Sequence, residues 1–331
     1  MAAPAISTSA NPGLPSPPFI FVEGIPNFRD IGGYPIADQP GKVNSNSSAY
    51  TQSFSVFRSS EPSKVTEAGV AKLQALRVTD VYDLRSRQEI DRDARNGHGR
   101  QPKEWPGATR IFAPVFLDDD YSPEAIAVRF KNYADKTSEA YQDILNAVSS
   151  PQNEAQPYRT ILKHLAAPNT DGSALPAPVL LHCSAGKDRT GVICALVLSL
   201  CGVDDDVVAH EYSLTDLGLK SRHPEFLRHM MKEPALAGNP LGARRMIGSR
   251  KENMIETLKK IRSIWGSVEK CVVELNFLTE EEIKQLRKNF IVDASSQEGS
   301  PLDWQKHAGL VGDAQRGSDA DAERIAAEAQ I

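Results

Sequence analysis

The sequence predicts an α/β layer fold: a central, mostly parallel sheet flanked by helices, with a helix-rich C-terminal half. Three observations predict it. Short β-rich segments alternate with helical ones through the first half of the chain. One apolar run, Ala177-Pro178-Val179-Leu180-Leu181-His182, lacks polar alternation, the pattern of a strand covered on both faces. From Gly191 onward nearly every segment has helical character.

In chain order, Thr66 to Arg77 reads as a helix and Val78 to Leu84 as the strand that follows it. Arg110 to Val115 reads as a second strand. Glu124 to Val148 reads as one long helix, with Ile126, Phe130, Tyr133, Tyr141, Ile144 and Leu145 as its buried positions. A helix over Tyr158 to Leu165 precedes the apolar strand ending at His182. Helices are then expected over 191–201, 205–217, 249–264 and 279–290.

The ends differ from the body. Residues 1–18 carry no charge, are rich in Pro, Ser and Ala, and end in Pro15-Ser16-Pro17-Pro18; a disordered leader is expected. Residues 293–331 turn polar again and read as a disordered tail, with a short helix from Ser318 to Ile331 capped by Ser318 or Asp319. One domain over 19–292 lies between them, without internal repeats.

Composition narrows the function. Of 331 residues, 40% are hydrophobic and 24% charged, and the formal net charge is -5. A nucleic-acid partner would call for a basic excess, so that class is set aside. No apolar run approaches the roughly 18 residues of a membrane span, and no charged segment leads into an apolar core at the N-terminus. Stable membrane insertion is not expected. The 4 cysteines, at 183, 194, 201 and 271, form no C-x-x-C pair, which suits free thiols in a reducing, cytoplasmic setting. Cys194, Cys201 and Cys271 read as small buried hydrophobes.

The segment that carries chemistry is His182-Cys183-Ser184-Ala185-Gly186-Lys187-Asp188-Arg189-Thr190-Gly191. It joins the buried strand to an apolar helix. A strand, a tight loop and a helix N-terminus form an anion site, because loop amides and the helix dipole converge there. Gly186 lets the backbone turn back, and Arg189 offers a planar fork to two phosphate oxygens. Amides, dipole, Lys187 and Arg189 all favour the thiolate of Cys183, a nucleophile held beside the bound anion. Ser184, Ala185, Gly186, Lys187 and Thr190 complete the binding cradle, and the Thr190 hydroxyl can donate to the sulfur. The plainer alternative is a structural Cys at a strand end, followed by a solvated Lys-Asp-Arg turn. Asp83, at a strand's C-terminal end, braces the loop or orients Lys187, or else merely closes its strand. Arg29 and Asp30, ahead of Gly32-Gly33, read as residues that pin a turn.

The whole string resembles the cysteine-dependent protein-tyrosine phosphatases, and among them a bacterial and fungal group with an H-C-x-A-G-K-D-R-T-G loop. Further matches run in order along the body: Asn27-Phe28-Arg29-Asp30-Ile31-Gly32-Gly33, Arg58-Ser59, Asp83-Leu84-Arg85-Ser86 with Glu89, Gly266-Ser267-Val268-Glu269, and Thr279 to Ile283. Trp265 departs from the group, which has Tyr there.

The resemblance implies a phosphotyrosine-phosphatase-like fold and hydrolysis through a phosphocysteine on Cys183. Arg189 and the loop amides stabilise the transition state, Asp188 is the general acid, and neither metal nor cofactor takes part. Asp118, Asp119 and Asp120 are the competing acids, with a solvated acidic loop as their plain reading. The implied substrate is a phosphorylated protein, phosphotyrosine first. Dual specificity or phosphoinositide activity is left open by the basic Lys187. A phosphate-recognition module without turnover, a sulfurtransferase and an arsenate reductase are the rival readings.

Overall fold

The computed structural model describes residues 13–37, 49–95, 102–135, 137–168, 175–232, 236, 239–293 and 302–328. Its main sheet has five strands: β1 (Arg29–Asp30), β3 (Val56–Ser59), β4 (Asp80–Asp83), β5 (Thr109–Phe112) and β6 (Val179–His182). Their order is β1-β3-β6-β4-β5, with every pairing parallel except β1 against β3 at the edge. The expected mostly parallel sheet is therefore present. A separate antiparallel ribbon pairs β2 (Ala49–Thr51) with β7 (Ile291–Asp293).

Strand β6 is central, and the period-2 rule shows why it is apolar throughout. Val179 and Leu181 enter one core with Val56 and Tyr82, while Leu180 enters the opposite core with Phe57 and Val81. Helix α1 (Glu67–Ala75), capped by the Thr66 side chain, covers the second face through Leu73. The first face carries the larger layer, built around α6 (Asp188–Leu200). Nearly all of α6 is buried, which explains a helix apolar all round. Around it stand α4 (Thr137–Ser149), α5 (Pro157–Leu165), α7 (Asp205–Ser213), α11 (Lys251–Trp265), α12 (Val268–Glu274) and α13 (Glu280–Phe290).

Three expectations change. The long helix over 124–148 is two, α3 (Pro123–Asp135) and α4, whose Tyr133 and Tyr141 rings meet edge to face 6.3 Å apart. The physical reason lies in their faces. In α4 Ala140, Tyr141, Ile144, Leu145 and Val148 form one buried stripe, whereas Ile126 and Phe130 of α3 are half-buried and line a cavity. Second, sequence reading missed α2 (Arg87–Arg95), α9 (His223–Met230) and α10 (Pro240–Ile247), and the helix expected over 205–217 is divided into α7 and α8 (Thr215–Gly218).

The third change concerns the tail. Residues 308–328 form a long helix, α14, so Ser318 lies in mid-helix rather than at a cap. Val311, Ala314, Ser318 and Ala322 make a buried stripe three or four residues apart, small enough for close approach. Ser318 meets His223 Nδ1 at 2.5 Å, Gln315 donates to Asp216 at 2.9 Å, and Arg244 and Arg250 pair with Asp319 at 3.0 and 2.7 Å. Polar composition hid a helix whose docking face is made of small residues. At the other end, the first 12 residues of the expected leader lie outside the described residues. The remainder is ordered: Pro18 O accepts from Asp30 N–H at 3.1 Å, and Leu14 packs against the cluster holding Phe19, Leu217 and Val311.

Candidate active site

Cys183 leaves the C-terminal end of the central strand, and α6 begins five residues later at Asp188. The reversal between them passes through Gly186, at φ +65°. A Cβ there would lie 2.0 Å from Ser59 O, so no side chain fits between this loop and the end of β3. The loop thus packs directly on the neighbouring strand.

The loop forms the floor of a cavity of about 500 Å³. Ser184, Ala185, Lys187, Asp188 and Arg189 face it; Cys183, Gly186 and Thr190 do not line it. Cys183 is only 2% exposed, at the root of the loop. One wall comes from Phe116, Tyr121, Phe130 and Tyr133, the other from Phe226, Met230 and Met246 of α9 and α10.

Arg189 is fixed before any anion arrives. Its NH1 and NH2 donate to the two oxygens of Glu89 at 2.5 and 2.7 Å, and NH1 also reaches Leu84 O at 3.3 Å. Glu89 further accepts from Ser184 Oγ, the Ser86 amide and the Tyr121 hydroxyl at 3.0, 3.0 and 2.8 Å. Burial by itself would raise the Glu89 carboxyl, but Arg189 and these donors outweigh it and hold it at about 2. Sequence reading placed Glu89 only as part of a resemblance. Its signal was the S-x-x-E string Ser86-Arg87-Gln88-Glu89: Ser86 Oγ accepts from the Glu89 amide at 3.1 Å, completing a capping box.

Asp188 lines the cavity with its side chain 22% exposed. Tyr141 donates to its Oδ1 at 2.7 Å, and Lys187 Nζ lies 3.3 Å from the same oxygen. Tyr212 stands 2.5 Å from Tyr141, and because Tyr141 donates to Asp188, Tyr212 donates to Tyr141. Burial keeps both tyrosines far above their ordinary range, hence protonated donors. The competing Asp118, Asp119 and Asp120 occupy a short 3-10 turn and do not line the cavity; Asp120 is turned back to the Leu117 amide at 2.8 Å. Glu225, overlooked in the sequence, contributes a third carboxylate to the cavity beside Asp188 and Glu89, 59% exposed on α9.

Two assignments need correction. Asp83, expected among substrate-binding residues, is fully buried and outside the cavity. It binds Arg85 at 2.8 and 2.9 Å and Arg110 at 2.9 and 3.1 Å, tying the end of β4 to β5. Nor does it orient Lys187, whose Nζ donates to the carbonyls of Met246 and of Gly248 instead, the latter at 3.1 Å. Lys187 is thereby a strut from the loop to α10. Its ammonium is occupied by backbone, which weakens the argument that it reads extra phosphates.

His182 is buried, and burial, despite nearby Asp83, pushes it down to about 4, so the ring is neutral. All 4 cysteines are free, and burial raises Cys194, Cys201 and Cys271 to about 12. The Thr190 hydroxyl is buried without a hydrogen-bond partner among the described residues.

Comparison with known proteins adds lineage. The chain is 33% identical over 195 residues to the triple specificity protein phosphatase PtpB of Mycobacterium tuberculosis, covering 56% of this chain and 65% of that protein. It is 37% identical over 84 residues to a tyrosine-protein phosphatase of Nostoc commune, 25% of this chain and 24% of that one. A relative in Cupriavidus necator that carries a tyrosine-protein phosphatase name is 24% identical over 272 residues, 81% of this chain and 86% of its own. The chain therefore spans just under two thirds of the mycobacterial relative and about a quarter of the Nostoc one. The model of the tyrosine phosphatase family matches residues 20–292, the whole sheet and the loop that ends it, and the chain belongs to that family.

Proposed function

We propose that the chain hydrolyses phosphomonoesters through a phosphocysteine, with protein phosphotyrosine as the favoured substrate. The observation that supports it most is the pairing of a buried cysteine with an arginine already clamped by Glu89, both on one loop beneath one cavity. In this reading the Cys183 thiolate attacks phosphorus, the S–P bond forms, and the ester P–O bond breaks. Asp188 gives its proton to the leaving oxygen. Water then attacks the phosphocysteine and returns a proton to Asp188, releasing phosphate and the thiolate. Loop amides and Arg189 hold the equatorial oxygens throughout. Tyr141 and Lys187 keep Asp188 at the rim where the leaving oxygen would sit.

The cavity supports an aryl ester. Its aromatic and thioether side chains suit a tyrosyl ring, while Arg129, Arg228, His229 and Lys232 on the same lining would accept further anionic or hydroxyl groups. The mycobacterial relative is a triple specificity protein phosphatase, which supports testing other phosphoesters too. The presence of Cys183, Asp188 and Arg189 together favours turnover over recognition alone. Among the described residues no helix is long and apolar enough to cross a membrane, and the free thiols support a cytoplasmic site of action.

The test is a panel of phosphotyrosyl, phosphoseryl and phosphoinositide substrates with the full chain, in chelator. Hydrolysis led by phosphotyrosine, lost in Cys183→Ser, is expected. Turnover by Cys183→Ser at the wild-type rate would overturn the mechanism.

A further inference from the structure

The outer side of the signature loop is gripped by residues far from it in sequence. Glu61 N–H donates to Ser184 O at 3.3 Å. Asn27 Nδ2 donates to Ala185 O and Gly186 O at 3.2 and 3.4 Å. Arg58 NH2 donates to Gly186 O and Lys187 O at 2.7 and 3.2 Å. Carbonyls 184 to 187 are thus all engaged from one side. In a trans peptide the N–H points opposite to the C=O. The amides of residues 185 to 188 must then face away from Arg58 and Asn27, toward the side where an anion would be held.

Arg58 is itself fully buried and held in place. Its NH1 donates to Glu211 Oε2 at 2.6 Å, while Arg29 Nε donates to Glu211 Oε1 at 2.7 Å. Arg29 in turn donates to Asn27 Oδ1 and to Thr215 Oγ1, the latter at 2.9 Å. One carboxylate on α7 therefore aligns two arginines, and through them both grips on the loop. A buried ion pair of this kind contributes little net stability compared with apolar residues of the same shape. Directional control of neighbouring peptides is a better account of why such charge sits here.

We infer that Arg58 and Asn27, aligned by Glu211, are positioning residues that fix the polarity of the signature loop: they hold its carbonyls outward so that its amides converge on the bound oxyanion. The inference rests on the phosphatase reading for its catalytic consequence, but not for its binding consequence. Neither residue lines the cavity. They act only through the backbone.

The test is titration of tungstate, an oxyanion that needs no turnover, into the full-length wild type, Arg58→Lys and Asn27→Gly by calorimetry. Turnover of nitrophenyl phosphate and the melting temperature are recorded alongside. Arg58→Lys keeps a charge beside Glu211 but cannot reach two carbonyls with one planar group. It is expected to bind tungstate roughly tenfold or more weakly and to lose about 10²-fold in kcat, the scale of one oxyanion donor. Asn27→Gly should show a smaller loss of the same kind. Should Arg58→Lys fail to fold, Asn27→Gly decides alone, since glycine accepts the φ of +58° found there. A merely structural brace would lower the melting temperature and leave tungstate affinity of the folded protein intact. That result in the variants that fold overturns the inference. Because tungstate binding is read directly, the outcome stands even if the wild type hydrolyses nothing.

Discussion

Glu89 and Arg189 stand 100 positions apart in the chain and meet as carboxylate and guanidinium through two bonds of 2.5 and 2.7 Å. Both side chains are about nine-tenths buried, at 9% and 11% exposure. Removing one partner leaves the other charge buried and unpaired. Glu89→Ala is therefore expected to cost about 3 to 5 kcal/mol in stability. It should also lower kcat by about 10²-fold, because Arg189 would no longer be preorganised. Urea unfolding together with kcat on nitrophenyl phosphate measures both; an unchanged kcat would show that Arg189 finds its place without Glu89.

Asp188 and Tyr141 give a second, separable prediction. If Asp188 protonates the leaving oxygen, Asp188→Asn should lose roughly 10²- to 10⁴-fold on tyrosyl phosphate and far less on nitrophenyl phosphate. Tyr141→Phe removes the donor that fixes Asp188 and should follow the same leaving-group pattern at about tenfold, the worth of one hydrogen bond. Equal losses on both substrates would assign Asp188 to shaping the loop, and Glu225 would be the next acid to test.

Glycine substitutions should have opposite signs in two places. At Gly186 a Cβ would clash with Ser59 O at 2.0 Å in a left-handed backbone, so Gly186→Ala should abolish activity and destabilise the fold. At Gly317 nothing lies within 4 Å of a Cβ, and the residue is in α14. Gly317→Ala should stabilise by about 0.4 to 1 kcal/mol. Thermal melts of the two variants check the contrast.

Stability should fall on mild acidification. His182, His210 and His223 are each held at about 4 rather than 6.5, mainly by burial. Between those values the unfolded chain binds protons that the folded one refuses, so stability drops as pH falls from 6.5 toward 4. Asp30 opposes this: burial raises it to about 6 from 3.8, so the folded form takes up one proton first and gains stability over that window. Three protons against one leave a net slope of up to about 3 kcal/mol per pH unit near pH 5. Urea unfolding at pH 7.5, 6 and 5 tests the sign; equal stability at all three would contradict it.

Much of the site was legible in the sequence because its chemistry is local. The unbroken apolar run of β6, the glycine at the turn and the arginine at the helix start all lie between Ala177 and Arg189. What supports the site was hidden because each supporter arrives alone from a distant segment. Glu89, Tyr141 and Glu211 are ordinary residues on helix faces until the fold brings them to Arg189, Asp188 and Arg58. The helix over 308–328 escaped for another reason: its contact face is alanine, serine and valine, and hydrophobic periodicity registers such small side chains weakly.

That helix bears on where the gene can be cut. The family match stops at 292, and a clone ended there would look complete by sequence. It would also strip Gln315 from Asp216, which accepts the Ser249 amide beside Gly248, whose carbonyl holds Lys187 of the signature loop. An affinity tag is better placed beyond Glu328 than substituted for the residues of α14, and a minimal fragment should be sought with its boundary there as well.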